Sequence, residues 1–232
     1  TLYVRKAAAG SEAAATEIKI PARPKKPDPI TDVTKGSYYI RVAGTVVAGC
    51  EYGISESVDG ELQWQSGTWF KNRKPAHTYY ITLRVKATDN SFASKPADRL
   101  KVTTPDALLI DGPAGAVSFE AKGTYGQTLS EIPVQLATGF QVVNYSGAPV
   151  SGTWSFSVNQ SGTSASSIYP EVKGTTAYQV EFSPEGAPEG QYGNSLTRDV
   201  VPEISPKELT AVITTPIVKD YDRSTGIALE AT

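Results

Sequence analysis

The residues of this chain with a claim to specific chemistry are few: Trp64, Trp69 and Trp154, the single His77, the single Cys50, and scattered carboxylates. Indole rings bind sugars when exposed, because the C–H face of a pyranose packs on them as other apolar surfaces do. Trp64 and Trp69 are therefore the candidate ligand-binding residues, for a carbohydrate. The competing assignment is core packing: Trp64 alternates with Leu62 as core residues of a strand do, Trp154 sits in a similarly packed pattern, and Trp69 is balanced between the two. Hydrolysis of the Ser-His-Asp kind needs an imidazole between a carboxylate and a hydroxyl. Only His77 is present, and its place after Pro75 and Ala76, just before a strand, is that of a solvent-exposed turn residue. There is no Gly-x-Ser-x-Gly elbow and no Ser-x-x-Lys pair. A zinc site wants several His or Cys and the chain has one of each. The close oxygen pairs Asp89, Asn90 and Asp220, Asp222 lack the spacing of a calcium loop. Carboxylates abound, but no two are singled out as a glycosidase pair. The expectation is a chain with no catalytic residue, no metal and no cofactor.

The elements that would position these residues are strands. Twelve Tyr, twenty Gly and sixteen Pro, with a hydrophobic fraction of 39%, suit half-buried pleated segments broken by turns. Strands are expected at 38–43, 51–55, 62–65, 79–86 and 99–103, with turns at Lys35-Gly36, Asp59-Gly60 and Lys74-Pro75. Tyr178, Val180 and Phe182 alternate with Gln179 and Glu181 as one half-buried strand. The best helical candidate, Ala7 to Ile18, carries Gly10 and reads as a hairpin connection. Cys50 stands alone, so no internal disulfide forms, and its expected role is that of a small buried hydrophobe.

A repeat runs through the first half. Leu2, Tyr3, Val4, Arg5 and later Ile18, Lys19, Ile20, Pro21 match the phrase from Ile81 to Pro105, which carries Leu83, Arg84, Val85 and then Leu100, Lys101, Val102. A fragment of a repeat in front of a complete copy is expected of an array of β-modules on a longer polypeptide. Charge changes at Pro105-Asp106: residues 1–105 carry sixteen Lys and Arg against ten Asp and Glu, whereas 106–205 carry three against ten. The net charge of −2 argues against nucleic acid as a principal partner. No apolar run is long enough to span a membrane.

Glu51-Tyr52-Gly53-Ile54-Ser55, Asp59-Gly60 before Trp64, Thr78-Tyr79-Tyr80, Leu83-Arg84-Val85-Lys86-Ala87-Thr88 and Ser91 to Pro96 together resemble the fibronectin type III-like repeats of large surface proteins from Gram-positive bacteria. Asp59-Gly60-Glu61-Leu62 departs from the Gly-rich turn usual there. Further on, Tyr125-Gly126-Gln127-Thr128-Leu129, then Gly152-Thr153-Trp154, then Tyr178-Gln179-Val180-Glu181-Phe182-Ser183-Pro184 resembles the immunoglobulin-like repeats of bacterial adhesin-type and S-layer-associated proteins. Lys219, Asp220, Tyr221, Asp222 resembles the opening of another repeat. Some modules of such surface proteins carry a Lys–Asn isopeptide crosslink; the candidates here are Asn144, Asn159 and Asn194 with Lys122 or Lys173.

The resemblance implies an all-β chain of two immunoglobulin-like or fibronectin type III-like β-sandwich modules in tandem. Residues 1–24 would end a preceding repeat and its linker, 25–105 form the fibronectin type III-like module, 106–205 the immunoglobulin-like module, and 206–232 begin a further repeat. The implied role is that of a monomeric, non-catalytic stalk or spacer of an extracellular, cell-surface-attached protein, held through other parts of a longer parent and adhering to a host or matrix glycan or protein. The alternative is a carbohydrate-binding module of a secreted glycan-degrading enzyme. Burial of all three Trp would favour the spacer, and an exposed coplanar pair such as Trp69 with a Tyr would favour the alternative.

Overall fold

The computed structural model describes residues 22–157 and 163–208, together with the backbone of 2–4 and 16–18. Among the described residues every regular element is a strand, apart from two single 3-10 turns at Leu129–Glu131 and Ala165–Ser167. Strands β1 (Leu2–Val4) and β2 (Thr16–Ile18) pair antiparallel, Leu2 opposite Ile18. The repeated phrase aligns Leu2 with Leu83 and Ile18 with Leu100; the corresponding strands, Thr78–Val85 and Leu100–Thr103, also pair antiparallel, but Leu100 faces Ile81, two residues before Leu83. The connection expected as a hairpin between β1 and β2 lies outside the described residues, as do Asn159 and the pair Asp220, Asp222.

Seven strands follow: β3 (Val33–Gly36), β4 (Tyr39–Val42), β5 (Cys50–Ser55), β6 (Gln63–Gln65), β7 (Trp69–Lys71), β8 (Thr78–Val85) and β9 (Leu100–Thr103). They form two antiparallel sheets, of order β3-β4-β7 and β6-β5-β8-β9. Side chains alternate across a strand, so Ile40, Val42 and Phe70 of the first sheet meet Tyr52, Ile54, Tyr79, Ile81, Leu83 and Val102 of the second in one core. Ile30 joins that core, and Lys26 Nζ meets Asp98 Oδ1 at 2.6 Å, so the Pro- and Lys-rich segment before β3 lies against the sheets at two points. Lys35-Gly36, expected as a turn, are instead the last residues of β3; the reversal falls at Ser37 and Tyr38. Strand β7 was not foreseen, because three residues between polar turns give too short a run to show alternation.

The remaining strands are β10 (Leu108–Asp111), β11 (Phe119–Thr124), β12 (Val134–Leu136), β13 (Gln141–Asn144), β14 (Gly152–Phe156), β15 (Tyr178–Pro184), β16 (Thr197–Val200) and β17 (Glu203–Ser205). β10 pairs with β13, and the rest form a sheet of order β16-β15-β14-β12-β11-β17. All pairs are antiparallel except β11 with β17, which run parallel with Lys122 opposite Glu203 and Thr124 opposite Ser205. Val180 and Phe182 point inward from β15 as their alternation predicts. Two apolar clusters fill this part, one around Leu129, Phe156 and Val180 and one around Leu108, Val142 and Phe182, and Trp154 touches both.

Candidate functional site

The one exposed tryptophan stands on the outer face of the β3-β4-β7 sheet. Ile40 pairs with Phe70, Arg41 with Trp69 and Tyr39 with Lys71. Since Ile40 and Phe70 turn into the core, Tyr39, Arg41, Trp69 and Lys71 share the solvent face. Trp69 is 46% exposed and Tyr39 37%. Lys71 Nζ lies 4.7 Å and Arg41 Cζ 5.6 Å from the indole centroid, within cation–π range. Tyr39 meets Trp69 edge-on, with centroids 5.9 Å apart and planes at 75°, so the two rings do not form a coplanar platform. Gly36 makes room for this arrangement: a Cβ there would come 2.5 Å from Tyr39 Cε1. Gln65 Nε2 donates to Trp69 O at 3.1 Å and to Gly67 O at 2.7 Å, tying the start of β7 to β6.

Trp64, placed in the core by its alternation with Leu62, lies instead on the outer face of the second sheet. Its partner across the strand pair is Gly53, and a Cβ on Gly53 would meet the indole ring at 3.0 Å. The missing side chain lets the ring lie flat on the sheet, half-buried, with the Arg84 guanidinium 3.9 Å from its centroid. Arg84 in turn pairs with Glu51 at 2.6 Å. Trp154 packs as expected, edge-on to Phe119 at 4.9 Å and tilted against Phe182 at 5.3 Å. Cys50 is free and partly buried at the margin of the first core.

His77, expected as a solvent-exposed turn residue, keeps 35% of its side chain exposed, but the ring is held at one end. Its ring packs edge-on against Tyr79 at 4.8 Å, and Nε2 is shut from solvent without a hydrogen-bond partner, 3.6 Å from Glu56 Oε2. No hydroxyl or thiol engages that nitrogen, so the pair is not a relay. A cleft of about 460 Å³ opens nearby, lined by Glu56, Glu61, Asn72, Arg73, Lys74 and Tyr79 among others. Arg99 braces three of the residues that line it, donating to Ser55 Oγ, Ser57 O and Gly60 O. Among the described residues no group of His, Cys, Asp and Glu is arranged to hold a metal ion. No helix among them is long and apolar enough to cross a membrane. The Asn144 side chain accepts from Ser146 and Ala148, Asn194 binds Leu108, and Lys122 reaches toward Glu203, so these isopeptide candidates are engaged elsewhere.

A second constellation joins the two halves. Thr103, Thr104 and Pro105 are tied to the first: Lys35 Nζ donates to Thr103 O at 2.8 Å, Thr104 Oγ1 to Lys74 O at 2.7 Å, and the Ala76 amide to Pro105 O at 3.1 Å. Asp106, Ala107 and Leu108 are tied to the second: the Asp106 amide donates to Gln191 O at 2.8 Å, Asp106 Oδ1 accepts from Ala107 and Tyr145 amides, and Asn194 bonds both backbone groups of Leu108. Ser37, in the β3-β4 turn, crosses the boundary. Its hydroxyl lies 2.6 Å from Asp106 O and 3.3 Å from Asn194 Oδ1 and accepts from the Gly193 amide at 3.1 Å. Gly193 packs so closely that a Cβ there would sit 2.4 Å from Ser37 N. The sequence placed a charge boundary at Pro105-Asp106 but identified neither the contacts of Ser37, Gly193 and Asn194 across it nor Tyr39, Arg41 and Lys71 as companions of Trp69; the alternation Tyr39-Ile40-Arg41-Val42 was the available signal for the latter.

Comparison with family models, with curated proteins and with solved structures yields no match.

Proposed function

We propose that this chain is a non-catalytic, two-module stretch of the repeat region of a Gram-positive cell-surface protein, outside the cell, serving as a stalk or spacer and in adhesion. The observation that carries the reading is the junction around Ser37, Asp106, Gly193 and Asn194. Residues 103–105 are bonded to one half and 106–108 to the other, which leaves the connecting backbone no free turn. A spacer works by holding its modules at a fixed angle, whereas short polar linkers between domains permit motion by default. The three- and four-stranded antiparallel sheets around one core support a fibronectin type III-like reading of 25–105, and the parallel β11-β17 pair closing a larger sheet supports an immunoglobulin-like reading of 106–205. The carbohydrate-binding alternative draws on the exposure of Trp69.

The test is small-angle X-ray scattering of the chain in dilute solution. A spacer gives a scattering curve fitted by one fixed arrangement of residues 22–208. A curve that demands an ensemble of module angles removes the reading.

A further inference from the structure

We propose that the outer face of the β3-β4-β7 sheet is a binding site for an acidic polysaccharide, with Trp69 and Tyr39 as apolar contacts and Arg41 and Lys71 as the groups that receive its carboxylate or sulfate. This goes beyond the stalk reading and stands or falls apart from it.

Register, not chance proximity, brings the four residues together: Arg41 lies directly across from Trp69, and Tyr39 from Lys71. The ion pairs of the described residues are Lys26–Asp98, His77–Glu56, Arg84–Glu51 and Lys122–Glu203, and neither Arg41 nor Lys71 belongs to them. The contrast with Trp64 is instructive. There too an arginine lies on an indole, but Glu51 already neutralises it, and the ring is half-covered. At Trp69 the cations are uncompensated and the ring remains 46% exposed. Such cations are held near the indole by the ring's own electron density, so an incoming anion finds them positioned.

Charge complementarity fixes the occupant. A uronate or sulfated sugar presents an apolar C–H face and an anion on one ring, and the sheet presents an apolar ring with cations within 6 Å. A neutral glycan would leave the cations unanswered. Nucleic acid needs a groove that tracks several phosphates past successive stacking rings, and here one indole stands with an edge-on Tyr in a chain of net charge −2.

Affinity electrophoresis and titration calorimetry of the whole 232-residue chain, with polygalacturonate, heparin, neutral dextran and a single-stranded oligonucleotide as probes, test this. Trp69→Ala and the double variant Arg41→Gln/Lys71→Gln should each raise Kd at least about tenfold for polygalacturonate or heparin, with thermal unfolding confirming the fold. Lys86→Gln/Lys95→Gln, which removes the same charge from exposed positions outside the face, should leave Kd within about twofold. Binding of polygalacturonate alone identifies a carboxylate-reading site, and of heparin alone a sulfate-reading one; either supports the proposal. Equal weakening by the Lys86/Lys95 control, equal binding of dextran, tighter binding of a single-stranded oligonucleotide through the same residues, or no binding of either acidic polysaccharide overturns it. Should Trp69→Ala unfold the chain, the Arg41/Lys71 variant decides alone.

Discussion

Replacing Gly193 by alanine should release the two modules from each other while leaving each folded. The added Cβ would come 2.4 Å from Ser37 N and 2.9 Å from both Gly36 C and Ser37 Oγ. These are mostly backbone atoms of a turn whose strands are paired at Gly36 and Tyr39, so they cannot yield without breaking the β3-β4 hairpin. The cheaper response is separation at the boundary. That loses the bond from the Gly193 amide to Ser37 Oγ, 3.1 Å long, and the bond from Ser37 Oγ to Asp106 O, 2.6 Å long. At about 0.5–1.5 kcal/mol net each, the docked arrangement loses about 1–3 kcal/mol. With a factor of ten per 1.4 kcal/mol, the undocked population rises roughly 5- to 150-fold. Spin labels at Asp89→Cys and Asp199→Cys, in a Cys50→Ser background, report the distance across the junction by pulsed double electron–electron resonance. The parent should give one narrow distribution and Gly193→Ala a broad one, while Gly67→Ala, where nothing lies within 4 Å of the new methyl, should match the parent. A narrow, unshifted distribution in Gly193→Ala would refute the reasoning, as would a parent already as broad as the variant.

Two further outcomes follow from the cores and the turns. Ile81 is fully buried between the two sheets of the first module, so Ile81→Ala should cost about 2–5 kcal/mol. Calorimetry should show that loss only in the transition of the first module, whose apolar cluster shares no residue with those of the second; equal movement of both transitions would count against separate cores. Glu131 accepts from the Thr128 backbone amide and hydroxyl, and these bonds hold its carboxyl below the ordinary value of 4.5. A carboxyl with a depressed folded-state pKa contributes its stability above the unfolded value and loses it as pH falls through the folded one. Glu131→Ala should therefore lower the melting temperature most near neutrality, with the gap to the parent closing in acid; a gap constant between pH 7 and 3 would contradict the assignment.

Much of the strand layout was legible because alternation is a local signal. Tyr178, Val180 and Phe182 announced β15, and the strand expected at 79–86 is β8, found one residue earlier at Thr78–Val85. Alternation fixes which residues share a face, but not which face is the core. That is why Trp64 was misplaced: the deciding residue is Gly53, on the neighbouring strand, whose bare backbone receives the indole. The candidate face was half legible. Trp69 stood out by type, yet its companions Tyr39 and Arg41 lie some thirty residues earlier and reach it only through the β4-β7 register. The change of charge at Pro105-Asp106 marked where the chain passes from one half to the other, but the contacts across the junction had no sequence signature, since Ser37 and Asn194 are 157 positions apart and meet through two separate folds.

If the chain is the stalk proposed above, the parallel pairing of β11 with β17 bears on how it would carry load. Parallel neighbours have their N-terminal ends at the same pole, so tension that reached β11 past the β10-β13 pair would draw β11 toward one pole and β17 toward the other. The ladder from Lys122–Glu203 to Thr124–Ser205, extended by the bond from the Tyr125 amide to Ser205 O, is then strained in shear, and its bonds must fail together. An antiparallel terminal hairpin pulled from its open end would unzip one bond at a time. In such a stalk the placement of β17 would put the hydrogen bonds between β11 and β17 across the line of pull, where their resistance would add.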